Sequence, residues 1–180
     1  MDSRIAIWNT LHDGEITVVS HENDGTFVMF VNIPYIRSRL KPLGDSFMLK
    51  LGGLKHIEFE DYEGVSTSII EELELIQIEI LSTNSENMPI SIATTDGFLK
   101  LDFETLNIYL DTGQEVQYSD VLKASEDYWN EWEAKAKKAE QGSPGDSQGR
   151  ATTSGWASWN LFIFIMVIGS PAAPDRRRYV

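Results

Sequence analysis

The sequence predicts an α+β fold: a mostly antiparallel β meander, open barrel or sandwich of about eight strands, with one amphipathic helix at its C-terminal end. Three observations support this prediction. Apolar and polar residues alternate through most of residues 4–110, which is the period of half-buried strands. Asp-Gly pairs that begin at residues 13, 24 and 96 stand between such runs, and Asp-Gly favours tight hairpins. After residue 118 the period becomes helical.

The first Asp-Gly pair predicts a hairpin whose first strand is residues 4–12. A two-residue turn of the primed type needs positive φ at both central positions, which Asp-Gly tolerates. This turn places Leu11 opposite Ile16 and His12 opposite Glu15. The prediction therefore separates His12 and Glu15, which form a polar pair beside the turn, from the Asp-Gly turn itself.

The second Asp-Gly pair predicts a hairpin with Glu22 opposite Phe27 and Ser20 opposite Met29. The two turns together collect apolar residues on one predicted core face: Ile5, Ile7, Leu11, Ile16, Val18, Phe27, Met29, Val31 and Ile33. The opposite face is mixed, and a second layer is expected to cover its apolar members: Trp8, Val19, Val28 and Phe30.

Short strands are predicted further along the chain. The segment "FMLKLGGLKHIEFEDY" predicts two strands around Gly52 and Gly53, and "EELELIQIEILS" predicts another through alternating isoleucines at 76, 78 and 80. The third Asp-Gly turn places Thr94 opposite Leu99 and Ile92 opposite Leu101. Between these strands, "PYIRSRLKPLGDS" is interpreted as a solvated connection with a turn of helix, and it carries the body's basic cluster: Arg37, Arg39 and Lys41.

Residues 119–141 are predicted to form the C-terminal helix, with Ser119 as N-cap and Gly142 as its stop. Its apolar stripe is spaced at helical intervals: Val121, Leu122, Ser125, Tyr128, Trp129, Trp132 and Ala136. Residues 1–141 are therefore one predicted β-rich domain closed by this helix.

A different composition follows the helix. Residues 142–155 contain four glycines and no large apolar side chain, which is typical of a flexible linker. The tail, 156–180, has an apolar run of eight residues from Leu161 to Ile168, shorter than the about 20 that a membrane-spanning helix needs. Three interpretations stay open: a weak membrane anchor over 156–173, a segment that docks on the body, or a non-native or unstructured tail.

Composition excludes several functions. The chain has no cysteine, so a disulfide framework, a thiolate zinc site and a cysteine nucleophile are excluded. Residues 1–140 hold 11 Lys and Arg against 26 Asp and Glu, a net charge of −15. Such a field repels nucleic acid and attracts a basic protein, although it also serves solubility alone. The start of the chain lacks the pattern of a signal peptide, so a cytoplasmic location is expected, with weak membrane association through the tail as the alternative.

Few residues suggest chemistry, and we predict no catalytic residue, cofactor or metal site. His12, Asp13 and Glu15 lie close in sequence, but a metal needs three or four convergent ligands. The more economical interpretation is a turn with a polar cross-strand pair, which leaves His12 and Glu15 as a minor candidate site. His56 with Glu58 and Glu60 similarly matches the exposed face of a strand.

The most distinctive segment is "EDYWNEWE" in the predicted helix. It predicts a partner-binding surface that combines an aromatic anchor with carboxylates: Glu126, Asp127, Trp129, Trp132 and Glu133. The competing interpretation is that both tryptophans pack on the sheet and the helix only closes the core, which is the usual role of an apolar helix stripe.

Three segments, "LHDGEI", "IPYIRSRL" and "YWNEWE", together resemble small bacterial cytoplasmic proteins over about residues 4–138. The resemblance implies no activity and bears only on the domain boundary. The expected function is a non-enzymatic protein-interaction module, in one form a toxin-neutralising immunity-type protein with a basic partner. The alternative is a small-molecule-binding β domain or hydrolase, with a cavity between sheet and helix lined by the mixed face.

Overall fold

A computed structural model of the chain describes residues 2–22, 25–68, 72 and 78–141. Three helices in these residues are bounded as follows: α1 (Ser3–Thr10), α2 (Pro34–Arg37) and α3 (Tyr118–Gln141). The described strands are β1 (Glu15–His21), β2 (Phe27–Asn32), β3 (Ser46–Gly52), β4 (His56–Asp61), β5 (Ser66–Thr67), β6 (Ile78–Thr83), β7 (Ile90–Thr94), β8 (Gly97–Asp102) and β9 (Thr105–Leu110). The predicted linker 142–155 and tail 156–180 lie outside the described residues.

The described strands form one antiparallel sheet in the order β5-β4-β8-β7-β6-β1-β2-β3-β9. This sheet and the long C-terminal helix confirm the predicted α+β class. Strands β8 and β9 stand third and ninth in this order, yet only residues 103 and 104 join them. Six strand spacings of a flat sheet measure roughly 29 Å, whereas a two-residue connection reaches about 11 Å. The sheet must therefore curl so that its two halves face each other.

The core lies between the two halves of the curled sheet. Burial alternates along β3, β7 and β8, as period-two side-chain placement requires. Both halves contribute buried apolar side chains: Phe27, Met29, Val31, Phe47, Leu49 and Leu51 from one, and Phe59, Ile90, Ile92, Leu99 and Leu101 from the other. These alternating strands are the part of the fold that the sequence pattern predicts best.

The predicted first strand is wrong, because residues 3–10 form helix α1. The Asp2 side chain caps it by accepting from the Arg4 backbone N–H at 2.9 Å. Four consecutive residues, 5–8, are buried, because the helix packs against both β6 and α3. A helix buried on several sides shows no amphipathic period, so its apolar residues resemble a strand.

Helix α1 also extends the sheet through a side chain. The Asn9 amide donates to the Thr83 carbonyl at 3.0 Å, and its oxygen accepts from the Thr83 N–H at 2.7 Å. This pair of hydrogen bonds imitates a strand partner for the end of β6. These two hydrogen bonds thereby fix the position of α1 relative to the end of β6, which the sequence pattern did not predict.

The β1–β2 hairpin exists, but its register differs by one residue from the prediction. His21 pairs with Phe27 and Val19 with Met29, because the loop is longer than two residues. A one-residue slip normally turns a strand over. A register shift between residues 16 and 18 compensates, so Ile16 and Val19 are both buried.

The third Asp-Gly hairpin joins β7 and β8, with a register two residues away from the prediction. Ile92 pairs with Leu99 and Ala93 with Phe98. Because side chains alternate with period two, this slip leaves the predicted faces unchanged. Ile78 and Ile80 of β6 are buried, whereas residue 76 lies outside the described residues.

Helix α3 begins at Tyr118, one residue before the predicted cap Ser119. Its main contacts are with α1 and α2, and its buried Val121 and Ala124 belong to the same hydrophobic core as the strands. Ser125 donates to the Thr10 carbonyl at 3.3 Å, and the Tyr118 hydroxyl lies 3.2 Å from the Thr10 hydroxyl. The predicted stop at Gly142 lies outside the described residues.

The prediction of a solvated connection is wrong at Arg37, because the Arg37 side chain is 0% exposed. The guanidinium donates to the carbonyls of Ser46 at 3.1 Å and Pro42 at 2.7 Å, and it pairs with the Asp111 carboxylate. Burial alone would raise the pKa of Asp111, but the N–H group of Asp45 and the Arg37 guanidinium outweigh it and lower that pKa. The segment before β3 and the end of β9 are therefore joined by a charge pair whose arginine is buried and whose carboxylate is 26% exposed.

Candidate functional site

A row of aromatic rings runs along α3 and ends at the surface. Tyr35, in α2, lies 4.4 Å from Tyr128 between ring centroids, and Tyr128 lies 5.0 Å from Trp129. Trp132 continues the row, edge-on to Trp129 at 6.1 Å. Trp129 is half-buried, whereas Trp132 is 45% exposed. Helical spacing of three and four residues places Tyr128, Trp129 and Trp132 along one side of α3.

An arginine from outside the helix fixes the row to the body. Arg39 donates from both terminal nitrogens to the two oxygens of Glu131, each at 2.9 Å. Its guanidinium also lies over the Tyr128 ring, 5.4 Å from the centroid. The bidentate pair lowers the pKa of Glu131 and raises that of Arg39. The helix is thus held at its middle as well as at its first turns.

Carboxylates border the row. Glu126 and Asp127 are exposed on α3, and Glu133 is exposed beside Lys137, 2.6 Å away. We call the four rings Tyr35, Tyr128, Trp129 and Trp132, together with Glu126, Asp127 and Glu133, the α3 surface. It can bind a partner through a large apolar ring while the carboxylates attract positive charge.

The five helix residues predicted for partner binding thus lie on one helix, and Trp129 packs against Tyr35 and Tyr128. Sequence reasoning missed Tyr35 and Arg39, which come from the segment interpreted as a solvated connection. The signal available in the sequence was the presence of Arg37 and Arg39 in an otherwise acidic body, because cations in such a chain often pair with carboxylates.

The predicted pair of His12 and Glu15 does not form. His12 instead pairs with its neighbour Asp13, Nε2 to Oδ1 at 2.9 Å, and its Nδ1 contacts the Leu81 carbonyl. Glu15 pairs across the sheet with Glu79. The residues before β1 form a helix-to-strand turn in which Asp13 takes a φ of 64°, so no hairpin brings the two side chains together.

Both ring nitrogens of His12 face acceptors, which an imidazole satisfies fully only when it is protonated. The hydrogen bond to Asp13 raises the pKa of His12, partial burial opposes this, and the Leu81 carbonyl adds to the rise. The Tyr35 hydroxyl donates to the His12 backbone carbonyl at 3.1 Å. His12 therefore joins the α1–β1 turn to β6 through both ring nitrogens, and these contacts favour its protonated form.

Replacement of His12 by glutamine is expected to lower stability more in acid than in base. The folded state holds the proton above the ordinary pKa of about 6.5, so the stabilisation is fully present below that pH and is lost as the pH rises through the folded-state pKa. Urea unfolding of both proteins near pH 5.5 and near pH 9 measures this. An equal difference in unfolding free energy at the two pH values would contradict it.

His56, Glu58 and Glu60 lie along the outer side of β4, as the strand interpretation predicts. His56 Nε2 is 3.5 Å from Glu58, and Lys100 on β8 bridges Glu58 at 3.1 Å and Glu60 at 2.5 Å. The carboxylates are thus occupied by a lysine, as on an ordinary charged sheet face. Within the described residues, no group of three or more acidic or histidine side chains is placed to hold a metal ion.

An open groove of about 430 Å³ lies beside the start of α1, between Arg4, Lys55, Met88 and Glu104. Its cations are paired, since Lys55 lies 3.1 Å from Glu104 and Arg4 pairs with Asp2. The small-molecule hypothesis places the cavity elsewhere, on the mixed face of the first hairpin. Three members of that face are buried in the core: Trp8, Val19 and Val28. This packing counts against the predicted cavity.

Among the helices in the described part of the chain, none has the length and apolar content that a membrane-spanning helix needs. The apolar segment 156–173 lies outside that part. Comparison of the chain with models of protein families, with curated proteins and with solved structures finds no match.

Proposed function

We propose that this chain is a non-enzymatic protein-interaction module, of the immunity type, that binds a basic protein through the α3 surface in the cytoplasm. The single observation that carries the proposal is Trp132, a large ring that is 45% exposed and packs edge-on against Trp129. Exposed tryptophans of this kind are the residues that most often dominate protein–protein binding energy.

The supporting structure of Trp132 favours this role. Its neighbour Trp129 is packed against Tyr35, and the Arg39–Glu131 pair fixes the same turn of α3. A ring that is already held in place loses little conformational entropy when a partner covers it. If a partner pocket buries Trp132, most of the free energy gained by burying the apolar surface of the ring therefore contributes to affinity.

Charge favours a basic partner. The net charge of −15 over residues 1–140 steers cations toward the protein, and Glu126 and Asp127 lie exposed beside the aromatic row. Exposed carboxylates at the edge of an interface act mainly on the association rate and its salt dependence. Binding is therefore expected to weaken as salt rises, chiefly through slower association.

Replacement of Trp132 by alanine is expected to weaken partner binding at least about 30-fold, the effect of losing an interface anchor worth about 2 kcal/mol. The partner is first recovered from the native host at low salt, identified and purified, and its Kd is then measured by calorimetry. Thermal unfolding of the free variant should change little, because nearly half of the ring is exposed. Recovery of no basic protein, or an unchanged Kd, would overturn the proposal.

Two charge reversals provide the matched control. Glu126→Lys lies on the α3 surface, whereas Glu104→Lys lies at the groove beside α1, and both change the net charge equally. Local recognition predicts that Glu126→Lys slows association about tenfold while Glu104→Lys has a much smaller effect. Equal effects would indicate that only the overall field matters.

A further inference from the structure

A second group of exposed apolar side chains lies at the end of β4, away from the elements that form the α3 surface. Tyr62 and Val65, in the turn between β4 and β5, are 62% and 65% exposed, and Phe98, in β8, is 39% exposed. We call these three side chains the Tyr62 platform. Exposed apolar side chains stand out at this place in the sheet, because the neighbouring outer positions, such as Glu60 and Lys100, carry charged side chains.

The platform is held in place by its own hydrogen bonds. The Tyr62 hydroxyl donates to the Thr94 carbonyl at 2.7 Å, and its ring lies edge-on to Phe98, 5.7 Å between centroids. The Asp61 carboxylate accepts from the backbone N–H groups of residues 63 and 65 at 2.9 and 2.8 Å. The turn and both rings are therefore ordered before anything binds, which reduces the entropy that binding would cost.

The charges around the platform are negative. Glu60 pairs with Phe98 across β4 and β8, Asp61 pairs with Gly97 in the same ladder, and Glu63 is exposed in the turn. The cation of this strand pair, Lys100, is already bound to Glu58 and Glu60. Aromatic rings bordered by carboxylates attract a cation through both the ring quadrupole and direct ion pairing.

We propose that the Tyr62 platform binds an arginine side chain presented by a protein or peptide segment. Arginine fits better than lysine, because its planar guanidinium stacks on a ring while its N–H fork reaches a carboxylate. The exposed Glu63 carboxylate is the candidate for that ion pair, because Glu60 is bound to Lys100 and Asp61 accepts hydrogen bonds from its own turn. This contact is separate from the α3 surface and does not depend on the proposed function.

The test is an NMR titration of the full ¹⁵N-labelled chain at low salt with a Gly/Ser peptide that carries arginines, and with the matched lysine peptide. The arginine peptide is expected to shift the backbone signals of residues 61–65 and 96–99 saturably, and to bind more tightly than the lysine peptide. Shifts spread evenly over all acidic faces, or equal binding of both peptides, would overturn the proposal.

Variants separate the platform from folding and from α3. Tyr62→Ala is expected to weaken arginine-peptide binding about tenfold, whereas Tyr62→Phe, which keeps the ring, should retain most of it. Thermal unfolding of both variants checks that the chain stays folded. Trp132→Ala should leave these shifts unchanged, so failure at the platform and failure at the α3 surface give different results. Unchanged binding in folded Tyr62→Ala would refute the platform.

Discussion

Replacement of Arg37 by alanine is expected to lower the free energy of unfolding by about 3–5 kcal/mol. The variant leaves the Asp111 carboxylate without its cation, removes the Arg37 donor from the Pro42 carbonyl, and leaves the Ser46 carbonyl with only the Asp111 backbone N–H as donor. Charged and polar groups that lose partners in a buried site carry the full cost of their desolvation. Urea unfolding at neutral pH measures the loss, with the slope checked for two-state behaviour.

Arg39→Ala is the matched control, two residues further along the same segment. Arg39 pairs with Glu131, which is 57% exposed, and ion pairs open to solvent contribute about 0–1 kcal/mol. The comparison therefore separates burial from charge, since both variants remove one guanidinium. A loss for Arg37→Ala no greater than that for Arg39→Ala would show that the buried network contributes little to stability.

Replacement of Gly97 by alanine is expected to cost about 3 kcal/mol or more, the upper range for overpacking a rigid site. A Cβ atom at this position would lie 2.1 Å from the Glu60 carbonyl oxygen and 2.7 Å from the Asp61 Cα. Both atoms belong to the backbone of β4, so no side chain can rotate away. Strands β4 and β8 would have to separate at the point where Gly97 pairs with Asp61.

Gly64→Ala, in the nearby β4–β5 turn, is the control for the change of residue type alone. Gly64 has a φ of +85° but open space around its Cα, so alanine there meets only the left-handed backbone cost of about 1–2 kcal/mol. Equilibrium unfolding of both variants gives the comparison. Similar losses at the two positions would contradict the close approach of β4 to residue 97.

The three Asp-Gly pairs show how far a local motif predicts structure. Each marks a change of chain direction, yet the positive φ falls on Asp13 in the first pair and on Gly25 in the second. In the third pair, Gly97 is required for space beside β4. The motif therefore predicts where the chain turns, whereas loop length and register depend on contacts with distant strands.

The difference between local patterns and distant contacts also explains which parts of the candidate site could be predicted. Trp129 and Trp132 could be predicted from helical spacing within one segment. Arg39 meets Glu131 across 92 positions of sequence, and no local pattern encodes such a pair. Helix α1 was missed for a related reason, since packing on two sides removes the period by which a helix is recognised.

The contacts of α1 with the end of the domain have a consequence for synthesis of the chain. Thr10 receives its hydrogen bond from Ser125, 115 positions later, and β9 reaches back to pair with β3. During synthesis the N-terminal part of the chain leaves the ribosome first. The apolar residues of α1 are therefore exposed to solvent long before the residues that bury them have been synthesised. Completion of the fold must therefore wait for α3 to emerge, and contacts of such long range are expected to make folding slow.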